Sequence, residues 1–270
     1  VRATDPDGPL EIRADLVVGA DGRHSTVREA SGLAVRQLGA PMDVLWFSLP
    51  RQPTDPGDTV GVFDAGRIFV QINRGDHWQC GYVIAKGTLD ELRGRGLPAF
   101  QHSVAALVPF AADRVGTRAS WDDVKLLTVA VDRLETWYRP GILCIGDAAH
   151  TMSPVGGVGI NLAVQDGVAA ANILYRPLLD RAVTLADLRA VQRRRELPMR
   201  IIQRMQVLVQ NRIIGPTLGS RAKPTPPWVL RLFARLPFLR RIPARLIGLG
   251  FRPEHIRTPE AAKGAPTPAP

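Results

Sequence analysis

The sequence predicts a mixed α/β fold in which an antiparallel β-sheet domain interrupts a three-layer α/β domain, followed by a helical C-terminus. Short apolar runs at Leu16–Ala20 and Gly141–Ile145 are of the kind that parallel sheets bury. Between Pro41 and Asp132, β-forming runs alternate with turn residues, as in an antiparallel meander. A long Arg-rich helix is predicted from Leu185 to Asn211, kinked at Pro198.

The composition indicates a globular protein, since 45% of the 270 residues are hydrophobic and 22% are charged. No apolar stretch approaches the roughly 20 residues needed to span a bilayer. We find no export signal, and the two cysteines lack metal-ligand spacing, so a cytoplasmic location is expected. The chain does not begin with Met, which suggests a fragment.

Near the start of the chain, Leu10–Arg13 and Leu16–Ala20 are predicted strands, the second buried on both faces. Ser25 is a candidate N-cap for the helix that follows, and Gly32 stands where a left-handed residue ends it.

In the middle region, Trp78 to Ile84 places apolar side chains on alternate positions, which predicts one strongly apolar sheet face. Leu89–Val108 is a predicted helix that breaks near Pro98. The predicted strands are Val44–Leu49, Thr59–Phe63, Arg67–Asn73, His77–Ala85 and Val124–Val131. Five side chains in this region either line a substrate pocket or pack in the core, and the sequence leaves both open: Trp46, Phe69, Gln71, Trp78 and Tyr82.

After the strand Gly141–Ile145, a loop rich in Gly and Pro leads into a helix that begins near Gly159 or Ile160. Asp147 follows the strand directly and is placed to accept hydrogen bonds from ligand hydroxyls. The glycine loop lets a planar ligand approach the main chain, and the first helical amides carry partial positive charge. The stripe expected to pack on the sheet is Ile160, Ala163, Val164, Gly167, Val168, Ala171 and Leu174.

Two segments carry a resemblance to a known family. The first is Gly146-Asp147-Ala148-Ala149-His150 with Pro154, Gly156-Gly157 and Gly159-Ile160-Asn161, and the second is Gly19 to Ser25 with Arg28. They match the GD and DG motifs of the class A flavoprotein monooxygenases, typified by para-hydroxybenzoate hydroxylase and including ubiquinone-pathway hydroxylases. The chain resembles this family over most of residues 10 to 210.

The resemblance implies a Rossmann-like FAD-binding domain and assigns roles to the motif residues. Asp147 would bind the FAD ribityl chain, and Pro154, the one catalytic candidate, would line the flavin ring and the oxygen site. The amides of Gly159, Ile160 and Asn161 would face the flavin pyrimidine edge. The remaining implied cofactor-binding residues are Asp21, Gly22, Arg23, Ser25, Arg28, Gly146 and Gly157, and His150 is expected to pack rather than catalyse.

The family's opening GxGxxG segment has no counterpart in this chain, so we expect an N-terminally truncated protein. The expected division is 1–38 and 134–212 for the FAD-binding domain, 39–133 for the substrate domain, 213–258 for a basic helical region and 259–270 for a disordered tail.

By resemblance, the protein uses FAD, NADH or NADPH, and O2 to insert one oxygen atom into an aromatic or otherwise unsaturated small molecule. Two alternatives stay open: an FAD-dependent reductase of the same fold that acts on prenyl chains, and a non-catalytic truncated remnant.

The basic charge lies at the C-terminal end, where residues 211–270 account for +9 of the net +10. Trp228–Leu236 places apolar residues on one helical face and Arg231 with Arg235 on another. Such a helix either lies on the inner face of an anionic membrane or docks on the protein. Nucleic-acid binding is disfavoured because no recognition motif accompanies the charge.

Overall fold

A computed structural model describes residues 1–117, 120–225, 236 and 241–259, and it divides into two compact units. The first unit contains Val1–Gln37, Asp132–Gln203 and Arg241–Pro270, and the second contains Leu38–Val131 and Arg204–Arg240. The assignment of separate functions to these parts of the chain stays a prediction.

The described helices and strands are numbered in chain order. They begin with β1 Arg2–Asp5, β2 Gly8–Glu11, β3 Val17–Gly19, α1 Thr26–Ser31, β4 Val35–Gln37, β5 Met42–Pro50, β6 Val60–Asp64, β7 Arg67–Asn73, β8 His77–Ala85, α2 Leu89–Gly94, α3 Leu97–Leu107 and α4 Ala112–Val115. They continue with β9 Lys125–Leu127, β10 Asp132–Leu134, β11 Tyr138–Arg139, β12 Ile142–Cys144, α5 Gly159–Leu179, α6 Leu185–Val209, α7 Gly215–Gly219 and α8 Arg241–Gly248.

In the first unit, β12 pairs in parallel with β3, so that Cys144 lies beside Gly19. β11 completes this three-stranded sheet, and α5 and α6 contribute to the core beside it. The predicted burial of the Leu16–Ala20 strand on both faces is wrong at Val18, which is 44% exposed. One face of β3 is therefore open in the part of the chain that the structure describes.

The expected packing stripe of α5 is confirmed at Leu174, which is buried in the core, but it is wrong in the first turns of the helix. Ile160 and Val164 are 72% and 60% exposed. The buried residues keep helical spacing on a different face: Leu162, Asp166, Ala169, Ala170 and Leu174. Hydrophobicity alone assigns Asp166 to the surface, but the carboxylate is buried together with ionic and hydrogen-bonding partners.

The second unit contains a five-stranded antiparallel sheet in the order β6-β7-β8-β5-β9, which confirms the predicted meander. The helical segment after β8 breaks at Gly96, and Pro98 lies in the first turn of α3, as a break near this proline predicts. The last predicted strand is shorter than expected, because only Lys125–Leu127 pairs with β5.

Four of the five candidate substrate contacts are core residues. On the helix-covered face of the sheet, Tyr82 packs on Phe100 of α3 and Trp78 packs on Phe110. The strand register places Phe69 and Gln71 on the same face. All four are buried. Of the five candidates, only Trp46 lies on the opposite face. It is paired with Gly81 of β8, and its indole packs over that glycine, where an added Cβ would come within 3.2 Å of the ring.

The long Arg-rich helix is confirmed as α6, which includes Pro198 and leads into a π-helical turn at Gln210–Ile214. Among the described helices, none combines the length and the apolar character that crossing a bilayer requires. The expected amphipathic helix at 228–236, apart from position 236, and the expected disordered tail, apart from position 259, lie outside the described residues.

Candidate functional site

The two motifs lie side by side at the carboxyl ends of neighbouring parallel strands. The Ile145 amide donates a hydrogen bond of 2.9 Å to the Gly19 carbonyl. The turns Asp21-Gly22 and Gly146-Asp147 follow these strand ends. Ligands of open α/β sheets bind at such carboxyl ends, so the arrangement brings both motifs to one crevice edge.

A single buried carboxylate on β10 connects the segments that follow the two motifs. Asp132 accepts hydrogen bonds from the Arg28 guanidinium at 3.1 Å and from the Thr151 hydroxyl at 2.9 Å. Arg28 also donates to the Arg23 carbonyl at 2.8 Å. The position of α1 is thereby tied to that of the loop after His150.

The first motif is held by a local hydrogen-bond network. The Asp21 carboxylate accepts from the hydroxyls of Ser25 and Thr26 and from the Val27 amide. Burial raises the pKa of Asp21, but these hydrogen bonds outweigh it and lower the pKa below its usual value. Ser25 is the N-cap of α1, as predicted, and accepts from the Arg28 amide at 2.9 Å. Asp21 and Ser25 thus have structural roles, and their cofactor contacts stay predictions.

The second motif forms a tight turn on top of α5. Gly146 has a φ of +58°, and a Cβ there would lie 2.9 Å from the Cβ of Ala163. The next residue, Asp147, is half-buried, and its carboxylate has no side-chain hydrogen bond or ion pair within the described ranges. That carboxylate is therefore available to ligand hydroxyls.

The loop after Pro154 has an open main chain. Gly156 and Gly157 have φ values of +80° and +63°, and a Cβ at Gly157 would meet nothing within 4 Å. Helix α5 begins at Gly159, as predicted. Its N-cap residue is Val158, whose apolar side chain makes no capping hydrogen bond. The N-terminal end of this 21-residue helix presents partial positive charge to a ligand that lies against the loop.

Sequence reasoning missed the residues beneath this turn. Asp166 and Arg195 are fully buried, and Asp166 holds both Gly146 and His150 by hydrogen bonds. His150 packs at 5.0 Å from the Trp137 ring, which agrees with its expected packing role. One feature of the sequence could have pointed to this buried cluster, because Asp166 is the single acidic residue in the sequence of α5.

Comparison with known proteins identifies the family. Residues 1–205 match the model of the FAD binding domain family, and the chain belongs to this family. It is 36% identical over 261 residues to the 6-methylpretetramide 4-monooxygenase of Streptomyces rimosus, covering 95% of this chain and 61% of that protein. A ubiquinone hydroxylase of Rhodospirillum rubrum is 31% identical over 237 residues, covering 82% of this chain and 52% of that protein.

Solved structures share the fold. The crystal structure of a probable FAD-dependent monooxygenase from Pseudomonas aeruginosa superposes with a TM-score of 0.65 at 21% identity, covering 81% of this chain and 61% of that one. The chain therefore spans between about half and three fifths of the length of these relatives.

FAD is the cofactor of this family, and the residues present fit its chemistry. The open glycine loop admits a planar ring, and the positive end of the α5 dipole suits an electron-rich ring edge. The Asp147 carboxylate, which pairs with no side chain among the described residues, suits hydroxyl groups.

The thiol at the end of β12 is expected to be unreactive in the folded protein. Cys144 is fully buried, and burial, with a smaller contribution from the negative charge of Asp21, raises its pKa to about 11. Cys80 is buried as well. We expect Ellman's reagent to label no thiol in the native chain and both thiols in guanidinium chloride. Rapid native labelling of one equivalent would contradict the packing of these strands.

Proposed function

We propose that this chain forms the flavin-ring and substrate portion of an FAD-dependent monooxygenase that hydroxylates an aromatic small molecule with NAD(P)H and O2. The observation that carries the proposal is the meeting of both motifs at the ends of β3 and β12, beside the open glycine loop. Membership of the FAD binding domain family supports it.

The residues of the second motif have distinct roles in this proposal. Asp147 accepts hydrogen bonds from the ribityl hydroxyls. The amides of Gly159, Ile160 and Asn161 stabilise negative charge at the pyrimidine edge through the helix N-terminus. Pro154 borders the ring where oxygen reacts and limits access of water. Bound FAD supplies the redox chemistry, and the protein supplies binding, orientation and electrostatics.

The first motif serves FAD and the nicotinamide co-substrate in the same proposal. Arg23, Ser25 and Arg28 line a shallow surface depression beside α1, where this proposal places their ligand contacts. The hydrogen bonds of Asp21 fix the turn at Gly22 so that its main chain keeps one conformation.

The substrate is proposed to be aromatic, and the name of the Streptomyces relative makes 6-methylpretetramide the first compound to assay. Trp46 is the remaining candidate for a substrate contact, because it lies on the sheet face that does not pack on Phe100.

The test compares the chain with a form extended through its upstream reading frame. Each is purified with FAD, and flavin absorbance, NADH and NADPH oxidation, O2 uptake and hydroxylated product are measured. Asp147→Ala is expected to weaken FAD binding, and Asp5→Ala, an exposed hairpin change, serves as the control.

We expect a yellow protein that couples NAD(P)H oxidation to hydroxylation. Flavin-dependent reduction of a prenyl chain without O2 uptake would instead favour the reductase alternative. If neither form retains flavin absorbance once unbound FAD has been removed, the chain is a non-catalytic remnant and the proposal is wrong.

Peripheral membrane contact is a separate proposal that rests on the basic C-terminal charge alone. It predicts sedimentation with anionic vesicles that is lost when Arg231, Arg235 and Arg240 are changed to Gln. Equal sedimentation of both forms would refute it.

A further inference from the structure

One buried carboxylate connects the second-motif turn to the helices behind it. Oδ2 of Asp166 accepts hydrogen bonds from the Gly146 amide at 3.1 Å and from Nε2 of His150 at 2.6 Å. Oδ1 of the same residue accepts from Nε of Arg195 at 2.9 Å. Because Asp166 is fully buried, it has these protein groups in place of water.

Within the described part of the chain, Arg195 has four hydrogen-bond acceptors, and two of them come from the C-terminal segment. We call residues 249–257 the C-terminal strap. Arg195 is fully buried, and its terminal nitrogens donate to the Arg252 carbonyl at 3.1 Å, to Glu254 at 3.4 Å and to Gln165 at 3.1 Å. A buried guanidinium needs such acceptors, since it has only donors and stays charged. The strap therefore helps to fix the orientation of Arg195.

The strap itself follows a defined path over α5 and α6. Gln165 donates to the Leu249 carbonyl at 3.1 Å, and Asn172 both donates to the His255 carbonyl and accepts from the Arg257 amide, each at 2.8 Å. Arg194 pairs with Glu254, whose side chain is only 4% exposed. Side chains of both helices thus hold the strap at several points.

We propose that the C-terminal strap supports the flavin site, with Glu254 and Arg195 as positioning residues that act through Asp166. Glu254 holds Arg195, Arg195 holds Asp166, and Asp166 holds the turn that presents Asp147. The affinity for FAD then depends on residues beyond position 205, where the match to the family ends. This inference rests on the proposed function, since it concerns the same flavin site.

Replacing Glu254 with alanine removes one acceptor of Arg195 and leaves a buried guanidinium less compensated. We expect Arg195 to reorient, Asp166 to lose its fixed position and amide exchange across residues 146–161 to rise about tenfold. The dissociation constant for FAD is expected to rise about 5- to 30-fold. Glu254→Gln keeps an acceptor oxygen. We expect it to restore most of the protection from amide exchange and most of the FAD affinity, which a general destabilisation does not predict.

The matched control is Val104→Ala, which leaves a cavity in the core of the second unit. It is expected to lower the melting temperature at least as much as Glu254→Ala while leaving FAD affinity and exchange at 146–161 unchanged. Hydrogen exchange is measured by mass spectrometry without FAD, and affinity by titration with FAD.

Unchanged exchange at 146–161 in Glu254→Ala overturns the inference, and so does an FAD affinity equal to that of the unmodified chain. If neither the unmodified chain nor its upstream-extended form binds FAD, the proposed function fails. The exchange measurement without cofactor still decides whether the strap positions the turn.

Discussion

Gly146→Ala is expected to lower the free energy of unfolding by about 2–4 kcal/mol and to prevent FAD retention. The backbone at Gly146 has a φ of +58°, which L side chains rarely adopt. The added Cβ would lie 2.9 Å from the Cβ of Ala163, so the turn has to move away from α5. That movement breaks the 3.1 Å hydrogen bond to Asp166 and displaces Asp147. Denaturant titration and flavin absorbance measure the two effects.

Gly141→Ala is the control for backbone strain alone. Its φ is +74°, and the nearest atom to an added Cβ is the Asp15 carbonyl oxygen at 3.8 Å, which is ordinary contact. It is expected to cost about 1–2 kcal/mol and to leave FAD retention unchanged. Equal effects of the two substitutions would mean that the contact with Ala163 is unimportant.

Arg114→Gln is expected to destabilise the second unit by about 3–5 kcal/mol, because it leaves the Asp55 carboxylate buried without its cation. Arg114 donates to both oxygens of Asp55 at 2.8 Å. It also donates to the main-chain carbonyls of Pro50 and Phe110. Trp78 completes the cluster by donating to Asp55 at 2.9 Å. Urea titration followed by tryptophan fluorescence measures the loss.

The same pair makes stability depend on pH. The hydrogen bond from Arg114 holds the pKa of Asp55 well below its ordinary value of 3.8. The stabilisation is therefore complete above about pH 4 and is lost as the pH falls and Asp55 takes up a proton. We expect Arg114→Gln to flatten this acid dependence.

The exposed pair of Arg95 with Glu91 supplies the comparison. Both side chains are more than half exposed, so Arg95→Gln is expected to change stability by less than about 0.5 kcal/mol. A loss at Arg114 no larger than this would show that the buried pair contributes little.

Local patterns were enough to predict most elements. The β7 and β8 boundaries were predicted because alternating side chains and Gly-containing turns such as Asp64-Ala65-Gly66 depend on neighbours in sequence. The start of α5 at Gly159 and the cap at Ser25 were predicted for the same reason. The convergence of the two motifs was seen only in the structure, where β3 and β12 pair in parallel.

The buried face of α5 was not predictable in this way. Asp166 is stabilised there by Arg195 on α6, and Arg195 in turn donates a hydrogen bond to the strap. Both partners are distant from Asp166 in sequence. Similarly, alternation divides β8 into two faces but does not reveal which face the helix α3 covers. The sequence therefore could not decide whether Trp78 and Tyr82 line a substrate pocket or pack in the core, and the tertiary contacts place them in the core.

The sequence by itself determined the family, the parallel strand ends and the glycine loop, because each depends on residue types at short spacing. Only the tertiary structure showed that Asp166, Arg195 and Glu254 form one buried cluster beneath the Gly146 turn. A buried charge is stable only where groups from other segments of the chain pair with it. Because these groups are distant in sequence, their pairing does not produce a periodic pattern of residues that could be recognised in advance.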